Sequence, residues 1–211
     1  MASWIDDFEG NKLNPKWGTP TRFSGGGQLD GVYTYEVKDS KFFWQATSHG
    51  TENGYWGIWW ALPVNAIGDI IVEARLRVRG IIGGGNSGGF GISINHNGAN
   101  VGCRYGTGLF SATGAYFSGS NNYANTAWPG RPSKNQLGPL STDEISDIRI
   151  VRKNNYMFLY NKGIFMGQYA YATAITNVGM QFYACGVAPQ SVLDKIFTID
   201  WIKVWPSSVV L

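Results

Sequence analysis

The chain has 211 residues and a formal net charge of +3, and aromatic and charged residues each make up 15% of it. This composition excludes a disordered chain, which needs high charge and few aromatic residues, and it argues against helical bundles and coiled coils. The 17 basic residues form no dense stripe, so we expect no nucleic-acid partner. No apolar run approaches the roughly 20 residues of a membrane helix, so we expect no membrane insertion.

Apolar and polar residues alternate along most of the chain, which predicts β-strands rather than helices. The clearest case is the segment 71–78, where apolar residues at even positions alternate with Glu73, Arg75 and Arg77. Two tight turns are predicted, at 153–155 and 161–163. In chain order, the sequence predicts strands at 31–37, 41–47, 55–60, 71–78, 90–95, 101–106, 147–151, 156–160, 178–184 and 196–205, and the turn at 161–163 leads into a further run at 164–166.

About ten to thirteen short strands joined by turns are typical of an all-β protein built as a large antiparallel β-sandwich. Two segments interrupt this pattern, a glycine-rich loop at 83–89 and a stretch at 110–140 that is rich in Ser, Asn, Gly, Tyr and Pro. Neither segment is a linker, and the chain has no internal repeat. We therefore expect one domain over residues 1–211, with a long loop at about 110–140.

The cysteines and histidines form no metal-binding motif. Cys103 and Cys185 lie in apolar, strand-like segments, where two buried thiols or one long-range disulfide both fit. His49 and His96 are too few for a histidine-rich site. The first seven residues have neither a basic region nor an apolar stretch, so we expect no signal peptide.

Several segments resemble the concanavalin A-like lectin/glucanase superfamily, including its LamG-like jelly rolls. The opening D-D-F-E-G and L-N-P-K-W resemble the common start of the family, and V-E-A-R-L-R-V resembles its long central strand. Residues 148–163 resemble a pair of strands with a small turn, and 197–205 resemble the closing strand. The resemblance implies a jelly roll of two curved sheets whose concave face often holds sugar. Its members include both lectin-like binders and glycan-cleaving enzymes, so the fold alone does not decide the function.

The residues for glycan cleavage are missing from the place that the resemblance implies. Glycoside hydrolysis generally needs two carboxylates that face each other across the scissile bond. Laminarinase-type members carry them on one strand as Glu-x-Asp-x-x-Glu, whereas the matching segment here, V-G-C-R-Y-G at 101–106, contains no acid. We find no lyase motif around His49 or His96. We therefore expect no enzyme, with a hydrolase or lyase of unfamiliar site as an alternative.

The chain has the residue types that a carbohydrate binder needs. Sugar rings stack on exposed aromatic residues, and their hydroxyls bind amide and guanidinium groups. Most of the tryptophans would also suit a buried core, and aromatic residues in the long loop would also suit a protein contact. The candidate carbohydrate-binding residues are Trp56, Trp59, Asn95, Arg104, Tyr116, Tyr123 and Trp128.

The resemblance also implies a structural Ca²⁺. Many members hold it with the Asp of the closing strand and with backbone carbonyls near the N-terminus. Asp200 occupies that position, and carbonyls near Asp7 or Glu36 are the expected partners. Ca²⁺ takes six to eight oxygen ligands, and the sequence offers one carboxylate for it. The alternative is that Asp200 pairs with a basic residue or caps a turn.

The sequence therefore predicts a non-catalytic, lectin-like domain that binds a glycan. The low charge, the aromatic loop and the absence of a signal peptide favour a virion or cell-surface assembly, with other virion proteins or further copies of the chain as partners. We expect it in a virion or at an extracellular surface. The alternative is a structural phage protein of the capsid, decoration or tail type that uses the fold as a scaffold.

Overall fold

The computed structural model describes residues 4–25, 32–48, 55–66, 69–79, 87–95, 99–105, 114–119, 145–185 and 196–205. These residues form fourteen strands and no helix. No segment in these ranges forms a helix of the length and apolarity needed to span a membrane. The strands are β1 (Trp4–Asp6), β2 (Thr21–Gly25), β3 (Val32–Lys38), β4 (Lys41–Ser48), β5 (Tyr55–Ala66), β6 (Ile70–Arg79), β7 (Ser87–Ile94), β8 (Ala99–Tyr105), β9 (Gly114–Gly119), β10 (Ile145–Lys153), β11 (Tyr156–Asn161), β12 (Ile164–Ala170), β13 (Ile175–Cys185) and β14 (Ile196–Trp205).

The strands form two antiparallel sheets. The eight-stranded sheet has the order β12-β11-β10-β6-β14-β4-β3, and β1 pairs with the second half of β14 beside β4. The six-stranded sheet has the order β2-β5-β13-β7-β8-β9. Aromatic rings from the two sheets meet between them: the centroids of Trp44 on β4 and Phe182 on β13 are 5.1 Å apart. The predicted all-β antiparallel sandwich is therefore confirmed.

The alternation along each strand determines which side chains form the core. On β6, Val72, Ala74 and Leu76 are buried, as predicted, and the residues between them are not. The centre of the core is aromatic and includes Trp60, whose ring lies 5.3 Å from that of Phe42. Burial of such a side chain contributes about 1.5–3 kcal/mol, so these rings are a main source of stability.

The two predicted turns are present, and each uses the left-handed backbone region. Asn154 and Asn155 have φ angles of +50° and +61° and join β10 to β11. Lys162 and Gly163 have φ angles of +49° and +76° and join β11 to β12. Asparagine and glycine tolerate this region better than other residues, so the local sequence fixes both hairpins.

The opening segment is anchored by a buried carboxylate. Asp6 is 6% exposed, and its Oδ1 accepts a hydrogen bond of 2.9 Å from the Phe8 backbone N–H. Its Oδ2 accepts a hydrogen bond of 2.7 Å from the indole Nε1 of Trp17, which is 1% exposed. This arrangement gives a structural reason for the D-D-F-E-G and L-N-P-K-W segments: they close one part of the core.

Three strands, β1, β2 and β9, were not predicted. β9 lies within the segment that the composition predicts as a long loop. Its sequence, G-A-Y-F-S-G, alternates around two aromatic residues but is too short to stand out from its Ser-, Asn- and Gly-rich surroundings. Pairing with β8 over six residues stabilises it, and such pairing is a tertiary effect.

The register also separates the two cysteines. Cys103 pairs with Phe90, whereas Cys185 pairs with Ser87, on strands separated by β7. Two strand spacings and three residue steps put their backbones about 14 Å apart, well beyond the reach of a disulfide. Of the two alternatives from the sequence, an intramolecular disulfide is therefore excluded by this register.

Candidate functional site

The candidate site is the face of the six-stranded sheet that points away from the core. On β5 and β13, Ile58, Trp60 and Met180 are fully buried in the core, so the positions between them belong to the opposite face. The register joins one such position from each strand into a continuous central row. Its members, in sheet order, are Thr21, Trp59, Gln181, Gly91, Gly102 and Tyr116.

Two flanking rows lie on the same face, two residues away along each strand. The three rows together contain six glycines, and glycine inside a strand often marks a place where a ligand approaches the backbone closely. At these six positions no side chain covers the backbone, and we call this part of the face the glycine floor. One flanking row contains Phe23, Gly57, Tyr183, Gly89, Arg104 and Gly114, and the other contains Ala61, Gly179, Ser93, Asn100 and Ser118.

Three of the predicted carbohydrate-binding residues belong to this face. Trp59 is partly exposed and pairs with Gln181. Tyr116 lies at the other end of the central row, and Arg104 lies in the first flanking row; for both, the structure describes the backbone position.

The other predicted residues are elsewhere. Trp56 belongs to β5 but pairs with Ala184, in a row that alternates with the candidate face. Tyr123 and Trp128 lie outside the described residues.

Asn95 has an architectural position at the end of β7. Its Nδ2 donates hydrogen bonds to the hydroxyl of Tyr171 (2.9 Å) and to the carbonyl of Ala174 (2.7 Å). Its Oδ1 accepts hydrogen bonds from the backbone N–H groups of Thr176 (2.8 Å) and Asn177 (3.3 Å). These contacts occupy both N–H donors and the oxygen of the side-chain amide. Asn95 therefore connects β7 to the start of β13 and has little hydrogen-bonding capacity left for a ligand.

Sequence reasoning missed Gln181 and the glycine floor. Gln181 is 4% exposed and lies in the middle of the central row. The available signal was a single glutamine inside the apolar run V-G-M-Q-F-Y, because an amide at an outward position of a covered strand needs hydrogen-bond partners.

The charges on this sheet are few and of one sign. Its six strands contain no aspartate or glutamate, and their only charged residues are Arg22 and Arg104. A pair of carboxylates for glycoside hydrolysis is therefore not available from the strands of this sheet.

Comparison with solved structures identifies the architecture. An endo-acting O-glycanase structure from the human gut microbiota, described as initiating mucin breakdown, superposes with a TM-score of 0.61 at 10% identity, covering 95% of this chain and 97% of that one. The laminarinase from Flavobacterium sp. UMI-01 gives a TM-score of 0.55 at 12% identity, covering 96% and 98%. This chain has the concanavalin A-like jelly-roll fold.

A third jelly roll is the carbohydrate recognition domain of Emp46p, solved in a potassium-bound form, with a TM-score of 0.54 at 11% identity and coverage of 95% and 94%. Identities this low show the fold and carry no activity with them. Comparison with protein-family models and with curated protein sequences finds no match.

Asp200, the predicted metal ligand, lies in a bulge of this jelly roll where the β14–β6 register shifts between Ile199 and Trp201. Its Oδ1 is buried and has no hydrogen-bond partner among the described residues, which fits a carboxylate that holds a cation. Against this, the described ranges contain no group of three or more His, Cys, Asp or Glu side chains around a common point. Arg75 is an electrostatic neighbour of Asp200, so the carboxylate already faces one positive charge.

Proposed function

We propose that this chain is a non-catalytic, lectin-like carbohydrate-binding domain and that its ligand lies on the outer face of the six-stranded sheet. The observation that carries the proposal is the central row, which has aromatic residues at β5 and β9 and glycines at β7 and β8 between them. Aromatic residues offer a surface for the apolar faces of sugar rings. The glycine floor gives a sugar access to the backbone.

The dimensions of the row favour an oligosaccharide over a single sugar. Trp59 and Tyr116 are four strand spacings apart, a span of about 19 Å. A ligand that contacts both positions must therefore extend across several sugar rings. Arg104 belongs to the same face, and a planar guanidinium is suited to paired hydrogen bonds with sugar hydroxyls.

Binding is favoured over cleavage because the strands of this sheet lack acidic residues. The fold neighbours include a carbohydrate recognition domain, an O-glycanase and a laminarinase, so the architecture is compatible with both functions. A hydrolase would need two carboxylates beside the bound glycan.

The test is a neutral glycan array followed by calorimetry on the best ligand. We expect Trp59→Ala to weaken binding by at least about tenfold, as for loss of a buried aromatic anchor. Gly102→Leu, which fills the floor and leaves Trp59 in place, should weaken it similarly. Tyr156→Ala, which removes a 45%-exposed aromatic residue from β11 in the eight-stranded sheet, is the matched control and should bind normally. Unchanged binding by both site variants, or release of cleaved glycan, would overturn the proposal.

We also propose that the domain works in an assembly at a virion or cell surface, with further copies or other virion proteins as partners. Among the side chains that the structure describes, the most exposed large apolar residues lie in the eight-stranded sheet, and three of them, Val32, Tyr35 and Phe165, lie on its edge strands β3 and β12. Exposed apolar residues on sheet edges favour protein contacts. Light scattering should show a defined oligomer that Phe165→Ser weakens; a monomer at all concentrations would contradict this part of the proposal.

A structural Ca²⁺ held through Asp200 is the third part of the proposal. The buried, unpaired Oδ1 supports it. EDTA should lower the melting temperature, added Ca²⁺ should restore it, and Asp200→Asn should remove the response. A melting temperature that is insensitive to EDTA would show that Asp200 serves only as a partner for nearby basic residues.

A further inference from the structure

A second groove lies on the outer face of the eight-stranded sheet, on the opposite side of the molecule from the proposed glycan surface. It is open to solvent and encloses about 610 Å³. This volume lies within the range of small-molecule sites, which is about 300–1,000 Å³. Its walls contain two cations, two carboxylates and three aromatic rings: Arg149, Lys153, Glu73, Asp147, Phe158, Tyr160 and Trp201.

The strands around the groove have an excess of positive charge. The groove lining itself contains two cations, Arg149 and Lys153, and two carboxylates, Glu73 and Asp147. Strands β6, β10 and β14 as a whole contain seven Lys and Arg residues against three Asp and Glu residues, and one of the seven, Arg152, is 3% exposed and forms a hydrogen bond with Asn155. An excess of positive charge around a concave surface attracts anions to it.

Arg149, in the groove wall, and Arg75, beside the groove, differ in how firmly they are held. Arg75 forms a bidentate pair with Asp147, with Nε to Oδ1 at 2.7 Å and Nη2 to Oδ2 at 3.0 Å. These hydrogen bonds raise the pKa of Arg75, so its guanidinium stays charged. Arg149 lies 3.5 Å from Glu73 and its Nε makes no hydrogen bond within the described ranges. The Arg149 Nε is buried beside Glu73, but 34% of the side chain is exposed, so part of it faces the groove.

Aromatic rings lie beside the cations of the groove and offer an apolar surface to a ligand. The indole of Trp201 is flanked by two cations, with the Lys203 Nζ at 4.6 Å and the Arg75 Cζ at 5.7 Å from its centroid. Tyr160 pairs with Arg149 across β11 and β10, so a ring and a guanidinium lie side by side. Aromatic rings beside cationic donors suit a ligand that has both a ring face and a negative group.

We propose that this groove binds a carboxylate-bearing oligosaccharide, such as a chain of uronic acids. A planar carboxylate matches the forked donors of an arginine, and the uronic acid ring matches the aromatic walls. An extended acidic peptide is less well suited, because β6, β10 and β14 are paired on both sides and offer no free backbone edge to add a strand. This inference is independent of the proposed function of the six-stranded sheet.

The test uses trigalacturonic acid as the probe and its methyl ester as the neutral control, with the full chain and isothermal titration calorimetry. Lys153→Glu should weaken binding by about tenfold, because it replaces an attractive charge at the groove by a repulsive one. Arg149→Lys keeps the charge but loses the fork, and should weaken binding several-fold. Lys12→Glu makes the same change of net charge at an exposed position outside the groove and should leave the affinity within about twofold.

Several results would overturn the inference. They are the absence of binding, equal binding of the ester, equal losses in Lys153→Glu and Lys12→Glu, and equally tight binding of a hexaglutamate peptide. Trp59→Ala separates the two proposals: it should retain trigalacturonate binding while losing the neutral glycan. If Trp59→Ala instead removes trigalacturonate binding, the acidic sugar lies on the six-stranded sheet and the groove is not its site.

Discussion

The strongest stability prediction concerns the carboxylate that anchors the opening segment. Asp6 is 6% exposed and accepts hydrogen bonds from the Phe8 backbone and from the indole of Trp17. Asp6→Asn keeps the shape but replaces one acceptor oxygen by an NH₂ group, which then faces a donor. One buried N–H therefore loses its partner, and the other loses its charged acceptor.

The expected cost follows from these two contacts. Hydrogen bonds to charged groups contribute about 1.5–3 kcal/mol, and a buried donor without a partner costs about 1–3 kcal/mol. We expect Asp6→Asn to lower the free energy of unfolding by about 3 kcal/mol. For a domain of this size that corresponds to a fall in melting temperature of roughly 6–12 °C.

Urea denaturation followed by tryptophan fluorescence gives the free energy of unfolding directly. Asp7→Asn is the matched control, because Asp7 is exposed and its Oδ1 accepts only a 3.4 Å hydrogen bond from Glu9. Its effect should stay below about 0.5 kcal/mol. The double mutant Asp6→Asn/Trp17→Phe should lose less than the sum of the single variants, because they share one hydrogen bond. A folded Asp6→Asn protein with wild-type stability would refute this reasoning.

Three further predictions concern other polar contacts. Asn95→Ala should cost about 2–4 kcal/mol in urea denaturation, because it removes five side-chain hydrogen bonds and leaves alanine at a φ of +50°. Asn95→Gly relieves only the backbone strain and should remain destabilised. Burial raises the pKa of Tyr33 above its ordinary 10.0, so the unfolded state ionises first. The free energy of unfolding should therefore fall as the pH rises above about 10, and Tyr33→Phe should reduce this dependence on pH. An unchanged dependence in Tyr33→Phe would contradict the prediction. Asp147→Asn breaks the salt bridge with Arg75, whose side chains are about 40% exposed. It should lower the free energy of unfolding by less than about 1 kcal/mol, and by less still at high salt. A larger loss would show that Arg75 depends on Asp147 for more than charge.

The strands that the sequence predicts well are those whose pattern agrees with their burial. β14 begins and ends at Ile196 and Trp205, as predicted, because buried residues recur along it from Phe197 to Val204. β6 extends only one residue beyond the predicted segment at each end. The turns at 153–155 and 161–163 were predictable for a different reason. A positive φ favours asparagine and glycine, and each turn contains at least one of these residues at such a position.

The candidate site was harder to predict because register creates it. Trp59, Gly91, Gly102 and Tyr116 are scattered over more than fifty residues of sequence and share a row only after four strand pairings are set. Asn95 shows the opposite problem. A polar residue at the end of a strand has the same sequence signal whether it binds a ligand or fastens a turn, and here its partners lie about eighty residues away.

The two sheets divide the charge of the molecule very unevenly, and this division bears on how the two proposed sites would operate. The strands of the six-stranded sheet contain two charged residues, whereas β6, β10 and β14 alone contain ten. Recognition on the first sheet would rest on ring stacking and neutral hydrogen bonds, which salt barely screens. Recognition in the groove would rest on exposed charges, which salt screens strongly. Because the two surfaces lie on opposite faces of one sandwich, a short glycan cannot contact both. Occupancy of both sites would therefore join two different glycan chains, and it would strengthen attachment only where the two kinds of chain occur on one surface.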